Sequence, residues 1–202
     1  MHKTILLDLG KVLVPFDFER GYRALAPHCA YPASEIPERI RASALVAPFE
    51  RGELTPRDFV ARLTAALEVK LGYEEFCHIW SSVFLPETLI SDAMIAGLRR
   101  RYRLVLLSNT NAIHFGMIRE NYPILRHFDE FVLSYEVGAL KPSPRIYEAA
   151  VRAARCDAGA CFYADDIAEF VEAARQLGID AVQFVNQEQL AGELRRRGIE
   201  WE

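Results

Sequence analysis

The sequence predicts an α/β fold: a parallel sheet flanked by helices, with a small helical domain inserted into it. Two observations carry this reading. Five short runs of strand character recur along the 202 residues, at Thr4–Leu7, Leu104–Ser108, Glu130–Ser134, Cys161–Ala164 and Ala181–Val185, and helical patterns separate the last four. Alternation of that kind implies βαβ units and a parallel sheet. The spacing is also uneven. About a hundred residues separate the first run from the second, and the long gap holds helix signals with almost no strand signal. The chain therefore divides into a sheet domain, residues 1–15 and 87–202, and a helical insert over residues 16–86.

The first run, Thr4-Ile5-Leu6-Leu7, is apolar with a β-branched residue, as suits a strand buried on both faces. It ends on Asp8, at the sheet edge where open α/β folds bind ligands, and Gly10 lets the backbone leave by a tight route. Within the insert, Ser34 is a candidate cap for a helix running to about Leu45. Thr55-Pro56-Arg57-Asp58 is a helix start, with cap, proline at the first turn and an acid behind it. Phe59, Val60, Leu63, Ala66 and Leu67 follow at helical spacing, and Gly72 separates them from a second pattern, Phe76, Ile79, Trp80 and Val83. Pro15 and Pro86 are candidate hinges at the two ends of the insert, and Glu87–Arg101 reads as the crossover helix back to the sheet.

Three later segments carry chemistry. Leu104–Leu107 runs into Ser108-Asn109-Thr110-Asn111, where the Ser108 hydroxyl and the Asn109 backbone N–H suit an oxyanion; taken alone the segment is equally a polar turn capping the next helix. Lys141-Pro142-Ser143-Pro144 fixes a lysine on a stiff loop before a helix capped by Ser143, a cation suited to a phosphate or to a nucleophilic carboxylate. Cys161–Ala164 runs into Asp165-Asp166, two adjacent carboxylates whose repulsion an oxygen-ligated divalent cation relieves; Asp166 is also placed to cap the helix from Ala168.

Composition narrows the function. A net charge of −4 argues against nonspecific binding to nucleic acid, and the basic clusters Arg99–Arg101 and Arg195–Arg197 end apparent helices, where cations offset the dipole. The four cysteines make no C-x-x-C pair and no metal spacing with histidine, which points to reduced thiols and a cytoplasmic setting. The apolar run before Asp8 is too short for a signal sequence, and nothing approaches a membrane span.

Nucleophile, hydroxyl, lysine and acidic pair, in that order and mostly at strand ends, resemble the four motifs of the haloacid dehalogenase-like hydrolase superfamily over nearly the whole chain. Asp8-Leu9-Gly10-Lys11-Val12 resembles the first motif, Ser108-Asn109 the second, Lys141-Pro142 the third and Asp165-Asp166 the fourth. The insert lies where that family carries its helical cap, on a Rossmann-like core. The stretches LLSNTN, GALKPSPRIYEAA and YADDIAEFVEAARQLGI are most similar to the bacterial branch that includes glucose-1-phosphate phosphatases.

The resemblance implies a Mg²⁺-dependent phosphatase for a small phosphorylated metabolite, a sugar phosphate in the first instance, acting as monomer or homodimer. Asp8 would attack phosphorus and form an aspartyl-phosphate. Mg²⁺ would lie among Asp8, the Gly10 backbone carbonyl, Asp166 and Asp165, with Asp166 a direct ligand and Asp165 one either directly or through water. Ser108 and Asn109 would hold the phosphoryl group, and Lys141 would screen its charge. One departure stands out. The family's phosphatases usually carry an acid/base aspartate two residues after the nucleophile, and here that residue is Gly10. General acid–base catalysis contributes roughly 10²- to 10⁴-fold, so its loss leaves a slow enzyme or, alternatively, a phosphate-binding regulatory protein. Asp17 is a poor substitute. A metal-free haloacid dehalogenase is a third reading, against which the acidic pair argues. Lys11, Phe16, Glu50, Arg51, Trp80 and His114 are candidates for substrate contact, His114 the best placed in sequence.

Overall fold

A computed structural model describes residues 1–201. Five strands, β1 (Thr4–Leu7), β2 (Arg103–Ser108), β3 (Glu130–Leu133), β4 (Cys161–Asp165) and β5 (Asp180–Gln183), form one parallel sheet in the order β3-β2-β1-β4-β5. The predicted strands are all present. The last sits one residue earlier than expected and stops at Gln183, and Ser134 leaves β3 to open a short helix.

Between β1 and β2 lie five helices: α1 (Phe18–Leu25), α2 (Ile36–Ser43), α3 (Val46–Glu50), α4 (Pro56–Ala66) and α5 (Tyr73–Ser81). Then come α6 (Asp92–Arg99), α7 (Ala112–Asn121), α8 (Ser134–Val137), α9 (Pro144–Ala154), α10 (Ala168–Gln176) and α11 (Gln187–Arg196). The crossover helix is α6, shorter than the Glu87–Arg101 expected, because Ser91 caps it by accepting from the Met94 N–H. The expected cap at Ser34 does not form. Helix α2 starts from Glu35 without a side-chain cap, with Pro37 in its first turn, and ends at Ala44 in a left-handed conformation (φ 53°). Thr55 caps α4 as the sequence implies, accepting from the Asp58 N–H at 3.1 Å.

The sheet packs on both faces. Ile5, Leu7, Leu104, Leu106 and Phe162 bury against α6, α7 and α11, while Leu6, Val105, Leu107 and Tyr163 bury against α9 and α10. The inserted helices hold a third cluster of their own, centred on Phe49, Phe59, Leu63 and Phe76, in which Phe49 stacks on Phe59 at 4.1 Å. Chain entry and exit run side by side: Phe16 bridges Phe84, the Asp17 N–H donates to the Val83 carbonyl, and the Leu85 N–H to the Pro15 carbonyl. The inserted helices are thus joined to the sheet by two paired linkers.

Candidate active site

Register builds the site. In the parallel pairing of β1 with β4, Leu7 lies opposite Ala164, so the next residues, Asp8 and Asp165, emerge side by side at the carboxyl edge. The Asp8 N–H continues the ladder to the Ala164 carbonyl at 3.0 Å. On the other flank β2 ends on Ser108.

Lys141 arrives from the loop before α9, and its ammonium is the hub. It donates to Asp8 Oδ1 at 2.8 Å and to Asp165 Oδ2 at 2.6 Å, with the Tyr163 hydroxyl at 3.2 Å and the Leu107 carbonyl at 3.3 Å. The Tyr163 hydroxyl in turn makes a short hydrogen bond to Asp165 Oδ2, whose other oxygen accepts from the Ile167 N–H at 2.8 Å. Asp165 and Lys141 are fully buried and Asp8 nearly so. Burial at such a depth disfavours charge. Burial, reinforced by Asp165 and opposed by Lys141, holds the Asp8 carboxyl well above its ordinary range. Burial pulls Lys141 down, but Asp8 and Asp165 outweigh it and keep the ammonium above its ordinary value.

Asp166, half-buried beside this trio, makes no side-chain hydrogen bond among the described residues, and burial and Asp165 raise its pKa. Oxygens of Asp8, Asp165 and Asp166 all lie within 4.8 Å of one another. Three carboxyl groups share one lysine, so their full ionisation would leave two negative charges uncompensated. Both Asp165 oxygens are engaged, whereas Asp8 Oδ2 and the Asp166 carboxylate meet no other side chain in a hydrogen bond among the described residues, so hard oxygen donors remain for a divalent cation. The donor set therefore fits Mg²⁺.

Side chains that the sequence reading passed over hold this arrangement in place. Asn109, singled out for its backbone, uses its side chain to lock the lysine loop: its Oδ1 accepts from the Lys141 N–H at 2.8 Å and its Nδ2 donates to the Lys141 carbonyl at 3.1 Å. Ser134, fully buried, clamps Thr110 through both backbone groups at 2.9 Å. Tyr163 was legible only as a sheet residue, although its place two before Asp165 in a period-two strand puts both side chains on one face. The helix after the acidic pair is not capped by Asp166; the Ile167 N–H is taken by Asp165 instead. Ser143 occupies the cap position of α9 without making a cap hydrogen bond.

Above Leu9, Gly10, Ser108 and Asn109 opens a cavity of about 410 Å³, roofed by the inserted helices. Phe16, Glu50, Trp80 and His114 line it, whereas Arg51 does not and pairs with Glu53 at 2.6 Å. Lys11 is exposed, in a left-handed conformation (φ 57°), with its ammonium 5.0 Å from the Phe16 ring centre. Asp17 caps α1. His114 is spoken for: Nε2 lies 3.1 Å from the Trp80 carbonyl and Nδ1 3.2 Å from Asn111 Nδ2, so the neutral ring with its proton on Nε2 satisfies both. Burial lowers its pKa to about 4, against a small opposing effect of the Trp80 carbonyl. His114 therefore ties α5 to α7 and has no proton to lend. At Gly10, an added Cβ would come within 2.9 Å of Phe16 Cε1, so the aromatic ring fills the space an aspartate side chain would enter.

Comparison with known proteins agrees with this geometry. The sequence profile of the haloacid dehalogenase-like hydrolases matches residues 2–178. A D-ribitol-5-phosphate phosphatase of Bacteroides thetaiotaomicron is 26% identical over 189 residues, covering 91% of this chain and 92% of that protein. A phosphatase of Mycobacterium tuberculosis is 27% identical over 191 residues, covering 88% and 85%. Among solved structures, a family enzyme from Bacteroides thetaiotaomicron in complex with magnesium and inorganic phosphate superposes with a TM-score of 0.84 at 26% identity, covering 92% of this chain and 96% of that one.

Proposed function

From the premise that this chain belongs to the haloacid dehalogenase-like hydrolases, we propose that it is a Mg²⁺-dependent phosphatase that hydrolyses a small phosphorylated polyol or sugar through an aspartyl-phosphate on Asp8. The observation that carries this reading is the cluster of Asp8, Asp165 and Asp166, in which the Lys141 ammonium bridges Asp8 and Asp165 at 2.8 and 2.6 Å. The relative named for ribitol 5-phosphate supports the substrate class.

In this reading Lys141 favours the carboxylate form of Asp8 against burial and aims it, and Asp8 attacks phosphorus while the bond to the leaving oxygen breaks. Bound among the carboxylates, Mg²⁺ supplies positive charge against the phosphoryl oxygens. Ser108 and the Asn109 N–H hold the phosphoryl group, and Asp8 and Asp166 would hold the metal, with Asp165 fixed by Tyr163 and Ile167. The leaving oxygen takes its proton from water, since Gly10 brings none. Water then cleaves the acyl phosphate and restores Asp8. Residues 16–86 act as the cap, and the protein works in the cytoplasm as monomer or homodimer on a soluble metabolite, without nucleic acid or membrane. Among the described residues no helix is long and apolar enough to cross a membrane.

The test is phosphate release from p-nitrophenyl phosphate with and without Mg²⁺. Asp8→Asn should lower the rate by more than about 10³-fold, the scale of losing a nucleophile; equal turnover by the mutant sinks the assignment. One observation favours a second reading, a phosphate-binding protein without turnover: the Phe16 ring stands where the acid/base side chain would go. No release from any phosphate ester, together with a rise in Tm on adding Mg²⁺ and phosphate, would select it.

A further inference from the structure

The cavity lining contains one carboxylic acid, Glu50, without a role. Glu50 ends α3, on the roof side, and its neighbour Phe49 turns into the insert's core. The end of that helix is held against the sheet domain. Gly52, at φ 70°, lies so close to the Tyr135 backbone that an added Cβ would fall 2.1 Å from the carbonyl oxygen. Glu50 is thereby fixed at the seam between insert and core, lining the same cavity as Gly10 and Ser108.

Its carboxyl has no hydrogen-bond or ion-pair partner among the described residues. The two arginines that offer themselves are used elsewhere: Arg51 on Glu53, and Arg41, the other charged residue of the lining, on Glu38. The cavity that Glu50 lines is walled mostly by apolar and aromatic residues, including Phe16, Tyr22 and Phe84. A polar group left unpaired against such a wall costs free energy unless a ligand satisfies it.

We propose that Glu50 is a specificity-determining residue, whose carboxyl takes a hydroxyl of the substrate's leaving alcohol while the phosphate sits at Ser108 and Asn109. The inference rests on the phosphatase reading above and extends it to the other end of the substrate. A hydroxyl is favoured over an ammonium because burial alone raises the Glu50 pKa to about 7. Near neutral pH the group is therefore found in both protonation states. A hydroxyl, donor and acceptor at once, complements both states, whereas an ammonium complements only the carboxylate. Aromatic walls suit the C–H faces of a carbon chain beneath its hydroxyls.

The experiment compares a pentitol phosphate with n-pentyl phosphate, the same chain without hydroxyls, on the Mg²⁺-loaded full-length protein. The wild type should prefer the pentitol phosphate in kcat/KM. Glu50→Leu should cut that selectivity by about 10²-fold, mostly through KM, since a site built to pair a hydroxyl discriminates strongly by leaving groups unpaired. Glu50→Gln, which still donates and accepts, should keep most of it. Affinity measured by calorimetry on the Asp8→Asn protein, with and without Glu50→Leu, reads the same contact without turnover, so failure of the phosphatase reading does not hide the answer. The proposal is overturned if Glu50→Leu lowers both substrates alike, if it removes a limb of the pH–rate profile with KM unmoved, or if an aminoalkyl phosphate binds better than the pentitol phosphate.

Discussion

The floor and the roof of the cavity are built on opposite terms. At the sheet edge Lys141, Asp165 and Tyr163 form a closed triangle, each held by the other two at 3.2 Å or less or through a short hydrogen bond, and Asp8 is tied to it by Lys141 at 2.8 Å. In the roof Glu50 stands alone among aromatic and aliphatic walls. A network whose members all depend on each other suits one fixed event, the transfer of a phosphoryl group, which needs positioned charge and little else. A lone carboxyl against apolar walls suits discrimination among leaving groups. Damage to the floor should therefore be cooperative and severe, and damage to the roof selective and mild.

The harshest way to break the comparison is at the hub. Lys141→Met leaves Asp8 and Asp165 buried without a counter-ion, and removing one partner of a buried pair costs about 3–5 kcal/mol. Tm should fall by about 10 °C, kcat by about 10³-fold, and Mg²⁺ should restore part of the Tm by supplying charge to the same carboxylates. Calorimetry with and without Mg²⁺, beside phosphate release, checks both. A mild loss in each would mean that the floor is no more tightly coupled than the roof.

Next comes the boundary between the two regions, where Phe16 of the linker faces Gly10. Gly10→Asp alone should gain little, because the ring is within 2.9 Å of the new Cβ. Gly10→Asp with Phe16→Ala should raise kcat on an alkyl phosphate by about 10²-fold, in the range of acid catalysis. The gain should shrink for p-nitrophenyl phosphate, whose leaving group needs no proton. Full gain from the single substitution would show that the ring yields freely and does not fence floor from roof.

Tyr163→Phe removes one hydroxyl from the floor and keeps its packing. Asp165 loses a donor and Lys141 an acceptor. Partners that orient metal-binding carboxylates are worth roughly tenfold in affinity or activity, so the Mg²⁺ concentration for half-maximal rate should rise by about that factor, with Tm lower by a few degrees. An unchanged Mg²⁺ requirement would limit the network to Lys141 and its two carboxylates.

The same contrast explains what could be read before folding. Asp8, Ser108 and Asp165 end or follow strands, so strand register brings them together, and register follows from runs such as Thr4–Leu7 that are hard to misplace; Lys141 joins them on the loop that leads into α9. Tyr163 and the Asn109 side chain escaped because their roles depend on which atoms meet across the sheet. The roof was less legible still. His114, close to Ser108 in sequence, turns out to be a strap with both ring nitrogens engaged, while Arg51 faces Glu53. Those outcomes depend on how five short helices pack, and apolar periodicity fixes which face is buried but not which polar residue reaches a seam. The Ser34 cap failed for a local reason: Pro37 sets the start of α2 further on, and a serine two residues ahead of Ile36 is out of reach of its first N–H groups.

The mildest test asks whether Glu50 is as isolated as the roof implies. Burial raises its pKa from 4.5 to about 7. The folded chain then keeps a proton that the unfolded chain releases between those two pH values. Unfolding is thereby coupled to proton release, and the contribution of Glu50 to stability declines as pH rises through the window and levels off above 7. The whole shift would amount to roughly 3 kcal/mol, and residual contact with solvent in the cavity screens it to about 1 kcal/mol. Glu50→Gln does not titrate. Its Tm should match the wild type near pH 4.5 and exceed it by about 2–4 °C at pH 8. Binding a pentitol phosphate should then shrink that gap, because a hydroxyl delivered to the carboxyl relieves the burial that caused it. A gap of the same size at both pH values would mean that Glu50 is paired or solvated, and the roof would lose the feature that sets it apart from the floor.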